Sequence, residues 1–405
     1  MKNISTVARR LKQPYHWIKG VAANLLYFFP SRKIKIIAIT GTDGKTTTAS
    51  LVYSILRNAG KKVALISTVA AYIGEQEIDT GFHVTNPAQF QLQKLIRKIV
   101  KQGYEYLVLE VTSHGIYQHR ILGIRPLVSA LTNITHEHLD YHGSFKEYAE
   151  VKLSLLKKSK IAVINRESSM YKQIKHKLSR LGNTIIPYSS KTLDRVIKSA
   201  IDQRFSESYN KENAAAAVAV CQVLHISLKD CAKGILNFSG VVGRMQQIPN
   251  NKGIKVVVDF AHTPNALEVA CRALRASMKS TQQLICVFGC AGLRDPYKRP
   301  AMGKIASTIC NEVVLTAEDP RTEDVNTIIR QIKDGIISNY GHVHEISDRR
   351  KAIQFAIQNL ANKTDVVAIF GKGHEKSLNL DGKKELPWSD QQEALLALEG
   401  KNNGR

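Results

Sequence analysis

The sequence predicts an α/β protein of mostly parallel sheets covered by helices, arranged as a nucleotide-phosphate-binding unit followed by a second α/β unit. Three observations carry this reading. Short apolar runs alternate with helical patterns along the whole chain, one run breaks at glycines into a helix opening with Lys45-Thr46, and a fresh strand–helix series begins after Gly240 and Gly243. Boundaries are accordingly expected at 1–33 (a short helical segment), 34–240 and 241–405.

In chain order, Ile34 to Ile39 reads as a buried strand, followed by Gly41-Thr42-Asp43-Gly44 as a turn. Leu51, Val52, Ile55, Leu56 and Ala59 then form one helical face that stops at Gly60, and Val63 to Ile66 is the next strand. Further strands are expected at Tyr106–Val111, Leu127–Leu131, Ile161–Ile164, Val256–Val258, Leu284–Phe288, Val313–Leu315 and Val366–Phe370, with an alanine-rich helix over Asn213–Val220. Several of these runs end in Glu110, Asn133, Asp259, Gly289 or Gly371, at the strand ends where a doubly wound sheet gathers its ligands.

The glycine turn has the chemistry of a phosphate site. Glycines admit positive φ and let backbone N–H groups approach phosphate oxygens, the following helix points its positive end at them, Lys45 adds a point charge, and the Thr46 hydroxyl suits magnesium. Its spacing differs from the common glycine-rich phosphate loop, which requires a glycine where this chain has Ile39.

At 405 residues and 43% hydrophobic content the chain can bury more than one core. Its six cysteines show no finger-like spacing and read as reduced thiols of a cytoplasmic protein. A net charge of +24 is spread along the chain without a recognisable nucleic-acid motif, so it predicts a solvated basic surface rather than a specific nucleic-acid partner. No apolar run approaches the ~20 residues of a membrane span, so membrane association is at most peripheral. Residues 20–30 are expected to form a short amphipathic helix, packed on the body or resting on a membrane surface.

Two further clusters carry polar chemistry. Glu110 is followed by Thr112, Ser113, His114, Gln118 and Arg120, a set suited to a cation and an anionic substrate. The stretch Thr135-His136-Glu137-His138-Leu139-Asp140-Tyr141-His142 holds three imidazoles and two carboxylates without the His-Glu-x-x-His spacing of zinc proteases.

With Gly-Thr-Asp-Gly-Lys-Thr-Thr, Leu-Glu-Val-Thr-Ser-His-Gly-Ile-Tyr-Gln-His-Arg and Thr-Asn-Ile-Thr-His-Glu-His-Leu-Asp-Tyr-His-Gly, the chain resembles the Mur ligases, most closely the UDP-N-acetylmuramyl-tripeptide synthetase branch. Gly-Arg-Met at 243–245, Val-Asp-Phe-Ala-His-Thr-Pro at 258–264, Lys-Arg-Pro at 298–300, Glu-Asp-Pro-Arg at 318–321 and Phe-Gly-Lys-Gly-His-Glu at 370–375 extend the likeness in order. The resemblance implies a P-loop-type central ATPase domain followed by a Rossmann-like C-terminal α/β domain. It also implies ATP-dependent amide ligation with Mg2+: ATP phosphorylates a carboxyl group of a muramyl-peptide acceptor, and an amino acid's amine displaces the phosphate.

By position the resemblance assigns Gly41, Thr42, Asp43, Gly44, Lys45, Thr46, Thr47, Asn213, Arg244 and Asp259 to ATP, and Lys45, His138 and Lys152 to catalysis. Thr46 and Glu110 match ligands of a first magnesium and His138 of a second, while Lys152 matches a lysine that the family carbamylates into a metal ligand. On its own residues Lys152 reads as a solvated helix lysine. Thr85, Thr112, Gln118 and Arg120 match acceptor contacts, and Arg294, Glu318, Asp319, Pro320, Arg321, Gly371 and Glu375 match the amino-acid pocket. Arg321 follows the pattern of enzymes that add meso-diaminopimelate, whose extra carboxylate suits a guanidinium.

Three departures accompany the likeness. Only some 33 residues precede the first strand where the family has a uridine-binding domain, so the UDP grip is expected to be missing or rebuilt. The stretch from Asn165 to Asn210 is short, predicting loss of part of an accessory sheet. Asp319, Glu318 and Asn86 replace the family's asparagine, aspartate and threonine, and a second carboxylate beside Arg321 would neutralise it or favour a more cationic amine. The alternatives are a polyglutamate-type ligase acting on an acceptor without UDP, and a non-catalytic nucleotide-binding scaffold.

Overall fold

A computed structural model describes residues 12–78, 85–134, 144–338 and 340–400. The chain divides into two compact units, Met1–Ser239 and Gly240–Arg405.

Among the described residues the first unit is built on an eight-stranded sheet ordered β4-β3-β2-β5-β1-β6-β7-β8. Its strands are β1 (Lys35–Thr40), β2 (Val63–Ile66), β3 (Ala71–Ile73), β4 (Gln76–Ile78), β5 (Tyr106–Glu110), β6 (Val128–Leu131), β7 (Ile161–Asn165) and β8 (Thr184–Tyr188). The run from β2 to β8 is parallel, and β3 and β4 add an antiparallel edge. Helices cover both faces of a parallel sheet, so its central strands can be apolar throughout; Ile36, Ile37, Ala38 and Ile39 are all buried. The helix Lys45–Asn58 buries Leu51, Val52, Ile55 and Leu56, the face expected from their spacing. Gly234 lies so close to this helix that a Cβ would meet the Ile55 Cα at 2.5 Å, which fixes the depth at which Leu228–Leu236 packs.

The stretch from Asn165 to Asn210, short against the family pattern, is largely regular structure. It supplies the helix Tyr171–Ser179, strand β8 beside β7 and the helix Arg195–Arg204. β8 escapes a pattern search because it contains Pro187 and is only partly buried, both tolerated at a sheet edge.

The second unit carries a six-stranded sheet ordered β13-β12-β11-β14-β10-β9 among its described residues. These strands are β9 (Gln246–Ile248), β10 (Lys255–Asp259), β11 (Leu284–Phe288), β12 (Glu312–Leu315), β13 (Val343–Glu345) and β14 (Val366–Phe370), parallel except for β9. Alternation along β11 fills two cores: Leu284, Cys286 and Phe288 face one layer, Ile285 and Val287 the other. The buried Arg349 holds the strand ends in place, bonding Asp390 through two nitrogens (2.8 and 2.7 Å) and donating to the Ala317 and Phe370 carbonyls. All six cysteines are buried as free thiols. Cys271, Cys286 and Cys310, remote in sequence, gather their sulfurs within 4.8 Å of one another, which their spacing did not announce.

Candidate active site

In the first unit, β1 sits between β5 and β6, so the segments that follow these three strands converge. Gly41 and Gly44 both take positive φ (153° and 77°), and neither tolerates a side chain. A Cβ on Gly41 would meet Thr132 Oγ1 at 1.8 Å, and one on Gly44 would meet Asn213 Oδ1 at 2.1 Å. Asn133 pins the turn between them, its Oδ1 accepting from the backbone N–H groups of Thr42 (3.1 Å) and Asp43 (2.8 Å). Lys45 Nζ folds back to the Thr42 carbonyl at 2.6 Å, which stations the ammonium over the turn. Thr46 is buried and Thr47 half-buried in the helix's first turn.

Glu110, at the end of β5 and 1% exposed, ties three segments together. Its Oε1 accepts from Thr46 Oγ1 at 3.0 Å, its Oε2 from the Thr68 N–H at 2.9 Å, and its carbonyl from Asn86 Nδ2 at 2.7 Å. Asn86 also receives the Thr112 N–H and hydroxyl (3.0 and 3.1 Å), and its carbonyl accepts from Arg120. Arg120 Nε donates to Gln118 Oε1 at 2.9 Å, and Thr85 meets Thr68 hydroxyl to hydroxyl at 2.8 Å. Thr85, Thr112, Gln118 and Arg120 thus share one network with the strand-end carboxylate. Asn86, which departs from the family pattern, is its centre.

Lys152 corrects the reading of a solvated helix lysine. It is 2% exposed, its Nζ donates to the Gly41 carbonyl, and it lies 4.6 Å from the centroid of the Tyr148 ring. The helix Phe145–Lys157 brings Tyr148 and Lys152, one turn apart, under the glycine turn, where Tyr148 Oη meets Thr42 Oγ1 at 3.0 Å. Asn213 lies at the turn's other side, its Oδ1 accepting from Thr48 Oγ1 at 3.4 Å. His138 lies outside the described residues, with the whole cluster from Thr135 to His142.

The Thr46 hydroxyl and Glu110 carboxylate present oxygens side by side from two rigid elements. That is a donor set a hard divalent cation such as Mg2+ fits, and a soft metal does not.

In the second unit, Asp259 closes β10 and accepts from the Ala261 N–H (2.8 Å) and the Met245 N–H (2.6 Å). Arg244 stacks its guanidinium 4.5 Å from the Phe260 ring centroid, and its buried Nε has no hydrogen-bond partner among the described residues. His262 bonds the Phe260 carbonyl through Nδ1, and burial drives its pKa down to about 3, so its imidazole is neutral at physiological pH.

Glu318, Asp319 and Pro320 are buried just after β12, and Gly371 follows β14 so closely that a Cβ would meet Glu318 Cγ at 3.3 Å. Asp319 does not neutralise Arg321. Its Oδ1 instead accepts from Lys372 Nζ (2.9 Å) and the Asn379 N–H (3.0 Å), while Lys372 also pairs with Glu375 at 2.6 Å. Arg321 takes the left-handed conformation (φ 58°) and donates from Nη1 to the Gly292 carbonyl at 3.0 Å. Arg294, in the loop after β11, is exposed. That loop is clamped elsewhere: buried Arg299 grips Glu323 through both terminal nitrogens, and Glu323 accepts from the Leu293 N–H at 2.9 Å. Lys372, Asn133, Tyr148 and Arg299 all lie within or beside motifs visible in the sequence, yet only the fold shows what they hold.

Glu318 Oε2 is buried with no hydrogen-bond partner among the described residues, and burial raises the carboxyl's pKa above the usual range. The unfolded chain therefore ionises this group more readily than the folded one. Its cost to stability is present above the folded pKa and vanishes as pH falls below the ordinary value of 4.5. Glu318→Gln is expected to raise Tm by roughly 2–4 °C at neutral pH, with the gain disappearing near pH 4 in thermal melts. A lower Tm at neutral pH would show that Glu318 is compensated.

Two α/β units built on mostly parallel sheets, one with a phosphate-type turn backed by a carboxylate and the other with a buried set of acids and bases, define a nucleotide-dependent enzyme. Models of the Mur ligase middle domain and of the Mur ligase, glutamate ligase domain match residues 39–226 and 243–373. The chain belongs to the Mur ligase family, and its activity is ATP-dependent, ADP-forming amide ligation. It is 36% identical over 377 residues to the UDP-N-acetylmuramoyl-L-alanyl-D-glutamate–2,6-diaminopimelate ligase of Clostridium botulinum, covering 88% of this chain and 76% of the relative. It is 34% identical over 410 residues to the enzyme of that name from Coxiella burnetii, covering 95% and 82%. A solved structure of a ligase with that name superposes with a TM-score of 0.60 at 32% identity over 91% of this chain and 78% of that one. The fold is also that of Mycobacterium tuberculosis folylpolyglutamate synthase complexed with ADP and AMPPCP, with a TM-score of 0.72 at 16% identity over 99% and 100%. No helix among the described residues is long and apolar enough to cross a membrane.

Proposed function

We propose that the chain adds meso-diaminopimelate to the glutamyl carboxyl of a UDP-MurNAc-dipeptide in the cytoplasm, with ATP bound at the Gly41–Gly44 turn. The observation that carries the site assignment is the buried Glu110 joined to Thr46, with Lys45 stationed on the same turn. The names of the relatives support the substrates.

In this reading an oxygen of the acceptor carboxylate attacks the γ-phosphorus, the bond to the β-bridging oxygen breaks, and ADP leaves. The amine nitrogen then attacks the acyl carbon, the carbon–oxygen bond to phosphate breaks, and the amine's proton is lost as inorganic phosphate departs. Lys45 and the N–H groups at the start of the helix Lys45–Asn58 stabilise the charge that moves onto the phosphate oxygens. Thr46 and Glu110 would hold Mg2+, with His138 and carbamylated Lys152 at a second ion, and the metal's contribution is to offset negative charge between the reacting groups. The family resemblance also assigns Asn213, Arg244 and Asp259 to the nucleotide. Thr85, Thr112, Gln118 and Arg120 position the acceptor.

Arg294, Glu318, Asp319, Pro320, Arg321, Gly371 and Glu375 receive the incoming amino acid. Because Lys372 engages Asp319, that carboxylate is tied up elsewhere and the Arg321 guanidinium suits a distal carboxylate of the incoming amino acid. Arg321→Ala should raise the KM for diaminopimelate by about 10- to 100-fold while leaving the KM for ATP within about twofold, read from ADP release at varied substrate. An unchanged diaminopimelate KM, or equal use of lysine by the native enzyme, would refute the amino-acid assignment.

A further inference from the structure

The helix Gln13–Leu26 is mounted inside out. Its inward side is small and polar: Gly20, Ala23 and Asn24 are buried, with Gln13 and His16 half-buried beside them. A Cβ on Gly20 would meet the Leu122 side chain at 2.8 Å. Asn24 Nδ2 donates to the Leu122 carbonyl at 2.8 Å, Gln13 Nε2 to the Tyr117 carbonyl at 2.9 Å, and Gln89 Nε2 to the His16 carbonyl at 3.4 Å. The apolar residues face away. Tyr15, Ile18, Ala22, Leu25 and Leu26 fall within an arc of about 100° opposite the buried side. Ile18 and Leu25 are each 59% exposed and Phe28, just beyond the helix, 72%, while Trp17 lies outside this arc. Ordinary amphipathic packing buries the apolar stripe, so this face is built for something outside the fold.

Charge identifies what covers it. The sequence has no Asp or Glu before Asp43, and the neighbouring helix Gln89–Lys101 has none either. Cations sit against the exposed rings, Lys19 over Tyr15 (5.1 Å) and Arg97 over Phe28 (5.6 Å), and Arg32 lies over the half-buried Phe29 (4.4 Å). Aromatic and aliphatic side chains ringed by Lys and Arg are the composition of a surface that lies in a lipid headgroup layer. A second copy of the same face would set like charges against each other, which disfavours self-association.

We infer that the outward face of Gln13–Leu26, with Phe28, docks this protein peripherally on an anionic bilayer surface. The apolar residues enter the headgroup boundary, and Lys12, Lys19, Arg32 and Arg97 meet the lipid phosphates. The enzyme would then work at the surface of the membrane.

The test is flotation of the full chain with vesicles of phosphatidylglycerol and phosphatidylcholine, against vesicles of phosphatidylcholine alone, at low and high salt. Expected is binding to the anionic vesicles only, weakening with salt. Ile18→Glu/Leu25→Glu, at solvent-exposed positions, should cut the partition coefficient by roughly tenfold or more while melting temperature and ADP release stay unchanged. Lys12→Glu/Lys19→Glu should lower it by roughly tenfold as well. Absent binding, equal binding to neutral vesicles, or binding insensitive to Ile18→Glu/Leu25→Glu would overturn the inference. So would a concentration-dependent dimer, broken by those substitutions, in a protein that ignores vesicles.

Discussion

Lys45→Ala is expected to abolish ADP release, with a loss of about 10³-fold or more in kcat/KM and a melting temperature within a few degrees of the native protein. The side chain leaves the helix's first turn and folds over the Thr42 carbonyl, so it contributes little to either core. What it contributes is a positive charge next to the backbone N–H groups of the turn, where charge shifts as the γ-phosphoryl group moves. Lys45→Arg should not restore the rate, because a planar guanidinium cannot occupy the compact position of an ammonium. Retention of more than about a tenth of native turnover in Lys45→Ala would remove the glycine turn from the chemistry.

The second large effect is at Lys152. Lys152→Met keeps the bulk of the side chain beneath the turn and removes the amine that bonds Gly41. Turnover is expected to fall by about 10²-fold or more. A carbamate forms when the neutral amine attacks CO2 and loses a proton, so native enzyme stripped of CO2 should regain activity on addition of bicarbonate, and Lys152→Met should not. Native activity indifferent to bicarbonate, with Lys152→Met still impaired, would assign Lys152 a positioning role through Gly41 and Tyr148. Full activity in Lys152→Met would remove both roles.

The sheets were legible where strands are buried on both faces. Leu284–Phe288 and Val366–Phe370 coincide with their apolar runs because neighbours on each side and helices above and below leave no polar alternation. Three-residue strands such as Ala71–Ile73 and Gln76–Ile78 carry too little pattern to be seen, and exist because they pair at the sheet's edge. The phosphate turn was legible because its conformation demands particular residues; positive φ and close approach at Gly44 leave no choice.

Residues whose meaning depends on partners far along the chain were not. Lys152 looks like any helix lysine until residue 41 is placed above it, a separation of 111 positions. Lys372 looks like a spacer between glycines, yet it pairs with Asp319, 53 positions away. A short helix near the start was expected over residues 20–30; it runs instead from Gln13 to Leu26, opening with Pro14 in its first turn. Which face it turns inward was not legible, because docking through Gly20 and Asn24 depends on Leu122.

The central claim is that ATP is spent to activate an acceptor carboxyl, and oxygen bookkeeping tests it most directly. With UDP-MurNAc-dipeptide labelled with 18O in its glutamyl carboxyl groups, ATP, Mg2+ and diaminopimelate, the account predicts that released phosphate carries one labelled oxygen per amide bond formed. Phosphate free of label, released at the same rate without acceptor or amino acid, would mean that water takes the phosphoryl group, and would contradict ligation.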